Sequence, residues 1–166
     1  MGQTVVLVRH GKAEPKRAGQ PDEERKLTGR GNDALAAAFP DSFRMLKVPI
    51  DGIQLWVSPT VRAIQTAYQV RRVVDIDDEQ QRRCLADQDI DAFFDELSKS
   101  EFSTIIAVGH IPFMNKVSGI LCGCELPFAP GAVACIELQD SIDPTSLKAA
   151  AEAPGRLLWF IQGPKV

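Results

Sequence analysis

The sequence predicts a three-layer α/β fold, one mostly parallel sheet covered by helices on both faces. Three observations lead there. First, the runs from Thr4 to Val8, Gly52 to Val57 and Thr104 to Val108 are rich in β-branched and apolar residues. They are largely continuous rather than alternating, which is the pattern of strands buried on both faces. Second, helical segments fall between them, and strands alternating with helices build parallel sheets. Third, the 166 residues show no repeat, low-complexity tract or linker, which fits a single domain over 1–166.

Taken in order, the first strand ends in Arg9-His10-Gly11. A charged stretch from Gly11 to Lys26, interrupted by Pro15, Gly19 and Pro21, reads as a loop. Thr28 is the expected N-cap of a helix through Asp33 to Ala38, which Pro40 ends or interrupts. After the second strand, Ser58 is expected to cap a helix with Pro59 at its first position, running to about Val70. Val73 to Ile76 reads as a short third strand, and Ile90 to Leu97 as a helix with Phe93, Phe94 and Leu97 on one face. The strand ending at Val108 leads into Gly109-His110 and a helix from near Pro112. Ala132 to Leu138 and Leu157 to Ile161 read as late, antiparallel strands, and Asp140 to Pro154 as a loop with one helical turn.

Composition excludes several classes of protein. With 45% hydrophobic and 25% charged residues, the chain is not wholesale disordered. A net charge of −3 argues against general nucleic-acid binding. No apolar run approaches the ~20 residues of a membrane span, and the N-terminus lacks a cationic signal-peptide region. Cys84, Cys122, Cys124 and Cys135 are too few for a disulfide scaffold and lack zinc-ribbon spacing, so a cytoplasmic protein with reduced thiols is expected.

Ligands of parallel α/β sheets bind beyond the carboxyl ends of the strands. The chain's two histidines, His10 and His110, both stand there. Either alone reads as a packed loop-entry residue, but the pair reads as functional. Arg9 adjoins His10, and Arg62 falls in the first turn of a helix, where a cation opposes the macrodipole. An anionic ligand would explain that placement, because guanidinium groups bind phosphate bidentately and stay charged. Two histidines and two arginines therefore point to phosphoryl transfer. One imidazole would be the nucleophile, and the other, protonated, would neutralise transition-state charge with the arginines. No Walker A, GxSxG, HxxxH or HExxH spacing offers a competing chemistry, so no metal or cofactor is expected.

The same residues resemble a family. Leu7-Val8-Arg9-His10-Gly11 is similar to the Arg-His-Gly signature of the histidine phosphatase superfamily, which includes the cofactor-dependent phosphoglycerate mutases. Leu27-Thr28-Gly29-Arg30-Gly31, Ser58-Pro59 with Arg62-Ala63 and Gln65-Thr66, and Val108-Gly109-His110 resemble its further blocks, in the family's order. The resemblance implies a phosphoglycerate mutase-like fold. It makes His10 the phosphorylated nucleophile, with Arg9, Arg62 and His110 as the phosphate pocket.

The short chain and the run His110-Ile111-Pro112 resemble the SixA-type phosphohistidine phosphatases within that family. That subgroup implies a metal-independent phosphatase acting on a phosphorylated signalling protein. A small phosphomonoester or diphosphate metabolite as substrate, and a phosphate-binding module without turnover, are the alternatives. A mutase is disfavoured by the absence of sequence for a closing lid. The general-acid Glu of larger members has no counterpart in Arg82 to Asp89, where Asp87 and Asp89 read as capping residues of the following helix. Missing acid catalysis suits a labile P–N bond better than an alkyl ester. Lys12, Lys16 and Arg17 either help dock an acidic protein or belong to a solvated loop that also carries Glu14, Asp22, Glu23 and Glu24.

Overall fold

A computed structural model of the chain describes residues 2–139 and 155–166. The expected loop at 140–154 lies outside the described residues. Six strands form one sheet. In chain order the elements are β1 (Thr4–Arg9), α1 (Gly29–Ser42), β2 (Ile53–Val57), α2 (Val61–Arg71), β3 (Asp78–Gln81) and α3 (Arg83–Asp87). There follow α4 (Ile90–Lys99), β4 (Thr104–Gly109), α5 (Phe113–Cys122), β5 (Val133–Glu137) and β6 (Arg156–Ile161). The spatial order is β3-β2-β4-β1-β5-β6. The first four of these run parallel, and β5 and β6 add two antiparallel pairings at one side. The expected α/β layering with a mostly parallel sheet is what the chain adopts.

Alternation along the strands explains the two cores. Val5 and Leu7 of β1 face one way with Trp56, Ile105 and Ala107, against Phe93, Phe94 and Leu97 of α4 and Phe113 and Val117 of α5. Val6 and Val8 face the other way with Ile53, Leu55, Val57, Ile106 and Val108, against Leu35 and Phe39 of α1 and Ala63 and Ala67 of α2. Because both faces are covered, the strand runs are continuously apolar.

Three element readings need correction. The third strand is not Val73 to Ile76 but Asp78–Gln81, an edge strand pairing with β2 alone. Its polar residues suit an edge, where apolar runs invite aggregation. Val74 and Ile76 are apolar because they pack beneath α2 instead. The N-cap of α2 is Thr60 rather than Ser58. Pro40 lies inside α1, which continues to Ser42. Thr28 does cap α1, accepting from Gly31 N at 2.8 Å.

Candidate active site

Strand register brings the two histidines together. β1 and β4 are neighbours, paired in parallel from Thr4 with Thr104 to Arg9 with Gly109. The next residue on each strand is therefore a histidine, and the two leave the sheet side by side. Their ring centroids are 5.1 Å apart with planes at 62°. β2 flanks β4 on its other side and is followed by Ser58, whose Oγ lies 2.8 Å from His110 Nε2. Thr60 Oγ1 is 3.5 Å from the same nitrogen. Ser58, expected to cap a helix, and Thr60, which stands at the N-cap of α2 without a side-chain capping bond, thus both face the second histidine.

The tautomer of His10 follows from its partner. Its Nδ1 lies 2.7 Å from the carbonyl oxygen of Gly11. A carbonyl only accepts, so Nδ1 carries the hydrogen and Nε2 keeps the lone pair. The next turn of chain is fixed as well. Gly11 N donates to Thr66 Oγ1 at 3.1 Å, and Thr66 donates to Arg62 O at 2.8 Å. A Cβ at Gly11 would lie 2.7 Å from Leu35 Cδ1, so this glycine lets the chain pack closely on α1.

Both imidazoles are held neutral. Burial, then the neighbouring positive charges of the site, pushes His10 from its ordinary 6.5 down to about 3, against an opposing hydrogen bond to Gly11. Burial and the charge of Arg62 push His110 to about 4, while the Asp22 carboxylate pulls it up. His10 is therefore competent as a nucleophile at neutral pH without a base to deprotonate it. The protonated His110 expected from the sequence is not the form of the free protein; that form needs the negative charge of a bound anion.

The arginines lie where the sequence places them, but one has a partner that it did not reveal. Arg9 Nη1 donates to Phe128 O at 2.8 Å. Arg62 is buried, not aimed at solvent, and donates through Nη1 to Asp22 O at 2.7 Å and through Nη2 to Asp22 Oδ2 at 2.9 Å. Its place at a helix N-terminus is thus accounted for by an anion of the chain itself. Among the described residues, the Nε–H groups of Arg9 and Arg62 are buried donors without a partner. Such donors favour an incoming oxyanion, because leaving them unmade is costly.

Arg9, His10, Arg62 and His110 line one cleft of about 580 Å³. The exposed lining residues, which form its mouth, are Lys12, Lys16, Asp22 and Glu23 of the charged loop together with Gln88 and Ile111, and the half-buried Arg25 and Ala86 line it as well. Asp22 and Glu23 belong to a short 3-10 turn, Asp22–Glu24, inside the charged loop. Neither Asp87 nor Asp89 lines the cleft. Asp89 caps α4, accepting from Ala92 N at 3.0 Å, and Asp87 pairs with Arg83 at 3.1 Å rather than capping. Arg17, grouped with Lys12 and Lys16 from sequence, is not among the lining residues. The residues that sequence reasoning missed are Ser58 as a partner of His110, Thr66, and Asp22.

The family model described as the histidine phosphatase superfamily (branch 1) matches residues 5–101, more than half of the chain. The chain belongs to the histidine phosphatase superfamily. The matched segment contains Arg9, His10 and Arg62, while His110 joins them through the β1–β4 register.

Solved structures share the fold at low identity. The protein histidine phosphatase SixA complexed with tungstate is 22% identical with a TM-score of 0.71, over 96% of this chain and 97% of that one. A SixA structure from Nakamurella multipartitia is 20% identical with a TM-score of 0.74, over 98% and 97%. A mycobacterial glucosyl-3-phosphoglycerate phosphatase is 14% identical with a TM-score of 0.63, over 99% and 100%. No curated protein matches the chain by sequence. Among the described residues, no helix is long and apolar enough to cross a membrane.

Proposed function

We propose that this chain is a single-domain, cytoplasmic phosphohistidine phosphatase working through a covalent phosphohistidine on His10, with no metal required. The observation that carries the proposal is His10 itself. It is neutral, with Nδ1 bound to the Gly11 carbonyl and Nε2 free to attack, and it stands 5.1 Å from a second imidazole at the floor of an arginine-lined cleft.

The mechanism follows from these positions. Substrate phosphoryl oxygens accept from Arg9, Arg62 and His110, whose positive charge and donors offset the charge of the transition state. His10 Nε2 attacks phosphorus in line, and the leaving group departs toward the cleft mouth. The anion raises the proton affinity of His110, so the ring takes up a proton on binding and, kept charged, donates a hydrogen bond to an equatorial oxygen. Ser58 holds that ring through its 2.8 Å contact with Nε2. Water then attacks the phosphoenzyme in the second displacement, returning His10 and releasing phosphate.

The open cleft and the lack of a glutamate from Arg82 to Asp89, whose two aspartates do not line the cleft, support a protein-borne phosphohistidine as substrate, since a P–N bond needs less help to break. A small phosphomonoester is the second reading. It is favoured by the fold shared with the mycobacterial glucosyl-3-phosphoglycerate phosphatase.

Brief incubation with a 32P-labelled phosphohistidine protein, quenched in alkali, tests the proposal. The expected result is an acid-labile, alkali-stable label on the wild-type chain. In His10→Ala the label is lost, with turnover down by about 10³-fold or more. Undiminished turnover in His10→Ala, with chelator present, refutes it.

A further inference from the structure

The proposed reaction leaves open what the cleft does to the departing group, and the 3-10 turn bears on this. Asp22 and Glu23 are the acidic residues that line the cleft. Asp22 Oδ2 accepts from Arg62 Nη2 at 2.9 Å, and Oδ1 accepts from Arg25 Nη2 at 3.2 Å and Nε at 3.3 Å. Lys16 Nζ lies 4.0 Å from Oδ1. Glu23 is paired with Arg83 of α3. Partial burial pushes the Asp22 carboxyl up, but the hydrogen bonds and charges of Arg62 and Arg25 outweigh this and hold it below its ordinary 3.8. The Arg83 partner likewise holds Glu23 low. Both groups are therefore ionised near neutral pH, and neither has a proton to give.

Position matters as much as charge. His10, His110 and Arg62 are buried at the floor, whereas the Asp22 side chain is 46% exposed at the mouth. An in-line displacement places the leaving group opposite the nucleophile, so a group attacked from the floor departs past the acidic turn. A carboxylate offers about four lone-pair sites. Three accept from Arg62 and Arg25, which leaves one for a substrate donor.

We infer that Asp22 is a specificity-determining residue, favouring a leaving group that carries its own N–H proton, such as the ring of a phosphorylated histidine, over an alkoxide. The step balances without an acid. The Nε2 lone pair of His10 forms the new P–N bond. The bond from phosphorus to the substrate ring nitrogen breaks, and its electron pair stays on that nitrogen. When the ring's other nitrogen carries a hydrogen, the group leaves as neutral imidazole and requires no further proton. That N–H donates to the Asp22 carboxylate, which favours the protonated, reactive ring. An alkyl phosphate instead leaves its electron pair on oxygen. The alkoxide then needs a proton that Asp22 and Glu23 do not hold, and their charge opposes it.

The test compares kcat/KM for N-phosphoimidazole and for p-nitrophenyl phosphate, whose leaving group needs no proton, in the wild-type chain and Asp22→Asn. Any change in the phosphate pocket moves both substrates together, so the ratio isolates the leaving group. Asp22→Asn is expected to lower the ratio of N-phosphoimidazole to p-nitrophenyl phosphate by about tenfold, the loss of one charge-assisted hydrogen bond. Asp22→Ser should lower it in the same direction, and stands in should the asparagine variant fold poorly. An unchanged ratio, whatever the common loss, overturns the inference and reduces Asp22 to a brace for Arg62. A ratio that rises overturns it as well. A wild-type chain that forms no phosphoenzyme from either compound fails the proposed function itself, and this is seen before any variant is compared.

Discussion

One wall of the cleft is built from strand ends and the other from the segment between Gly11 and Lys26, and they hold their side chains by different physics. His10, His110 and Ser58 leave adjacent parallel strands, so sheet register fixes their spacing. They are buried, and the two rings are neutral. Lys12, Lys16, Asp22, Glu23 and Arg25 stand on a loop with one short turn, charged and mostly exposed, and all but Lys12 are held by ion pairs. The bond-making groups thus sit on the rigid element, while the groups that meet the rest of the substrate sit on the part that tolerates change. Arg62 joins the walls, with its backbone on α2 and its guanidinium on Asp22.

The largest expected effect comes from the strand-end wall as a stability term. Both histidines have folded-state values below the ordinary 6.5, at about 3 and about 4. As pH falls from 6.5 toward 4, the unfolded chain therefore binds protons that the folded chain does not. Stability must then drop with falling pH in that window, by at most about 2.7 kcal/mol per pH unit when both sites contribute. The chain has no other histidine. The depressed carboxyls of Asp22, Glu23, Asp51 and Asp78 lower stability in the same direction only from about pH 5 downward, so the stretch from pH 6.5 to 5 isolates the histidines. Urea unfolding at a series of pH values should show the slope, and His110→Asn should cut it roughly by half. A slope between pH 6.5 and 5 that survives replacement of both histidines would mean that the rings are not buried neutral, and the contrast between the walls would fail.

Arg62 tests the joint between them. Arg62→Ala removes donors to the phosphoryl group and frees the turn at Asp22, so kcat/KM should fall by about 10²-fold, while unfolding remains cooperative. Arg62→Lys should recover little, because an ammonium cannot make the paired contacts of the fork to Asp22 and keep a donor for phosphate. Full rescue by lysine would show that only charge is needed there.

This contrast also sets what the sequence reveals. β1, β2 and β4 are legible because both faces are buried, and their register then delivers His10 beside His110 without further information. β3 is not legible: Asp78–Gln81 is polar because it is an edge, whereas the apolar Val74 and Ile76 owe their character to packing under α2. Ser58 is ambiguous in sequence because a hydroxyl before a helix can cap it or turn to a neighbour, and the neighbour, His110, is 52 residues away. Asp22 is the hardest to see. It sits among other charges in a loop, and its partner Arg62 lies 40 residues further along the chain.

The smallest expected effect sharpens the comparison from the loop side. Glu23 pairs with Arg83 of α3, with side chains 48% and 57% exposed. An ion pair so exposed is offset by solvent and by the ordering of two long side chains. Glu23→Gln should therefore leave the thermal unfolding midpoint unchanged within error, and should change kcat/KM far less than Arg62→Ala does. Added salt should narrow any difference further, since screening weakens exposed pairs first. A drop of several degrees in Glu23→Gln would instead make the turn a structural clamp on α3. The loop wall would then be as firmly built as the strand ends, and the division between a fixed reacting wall and an adaptable outer one would no longer hold.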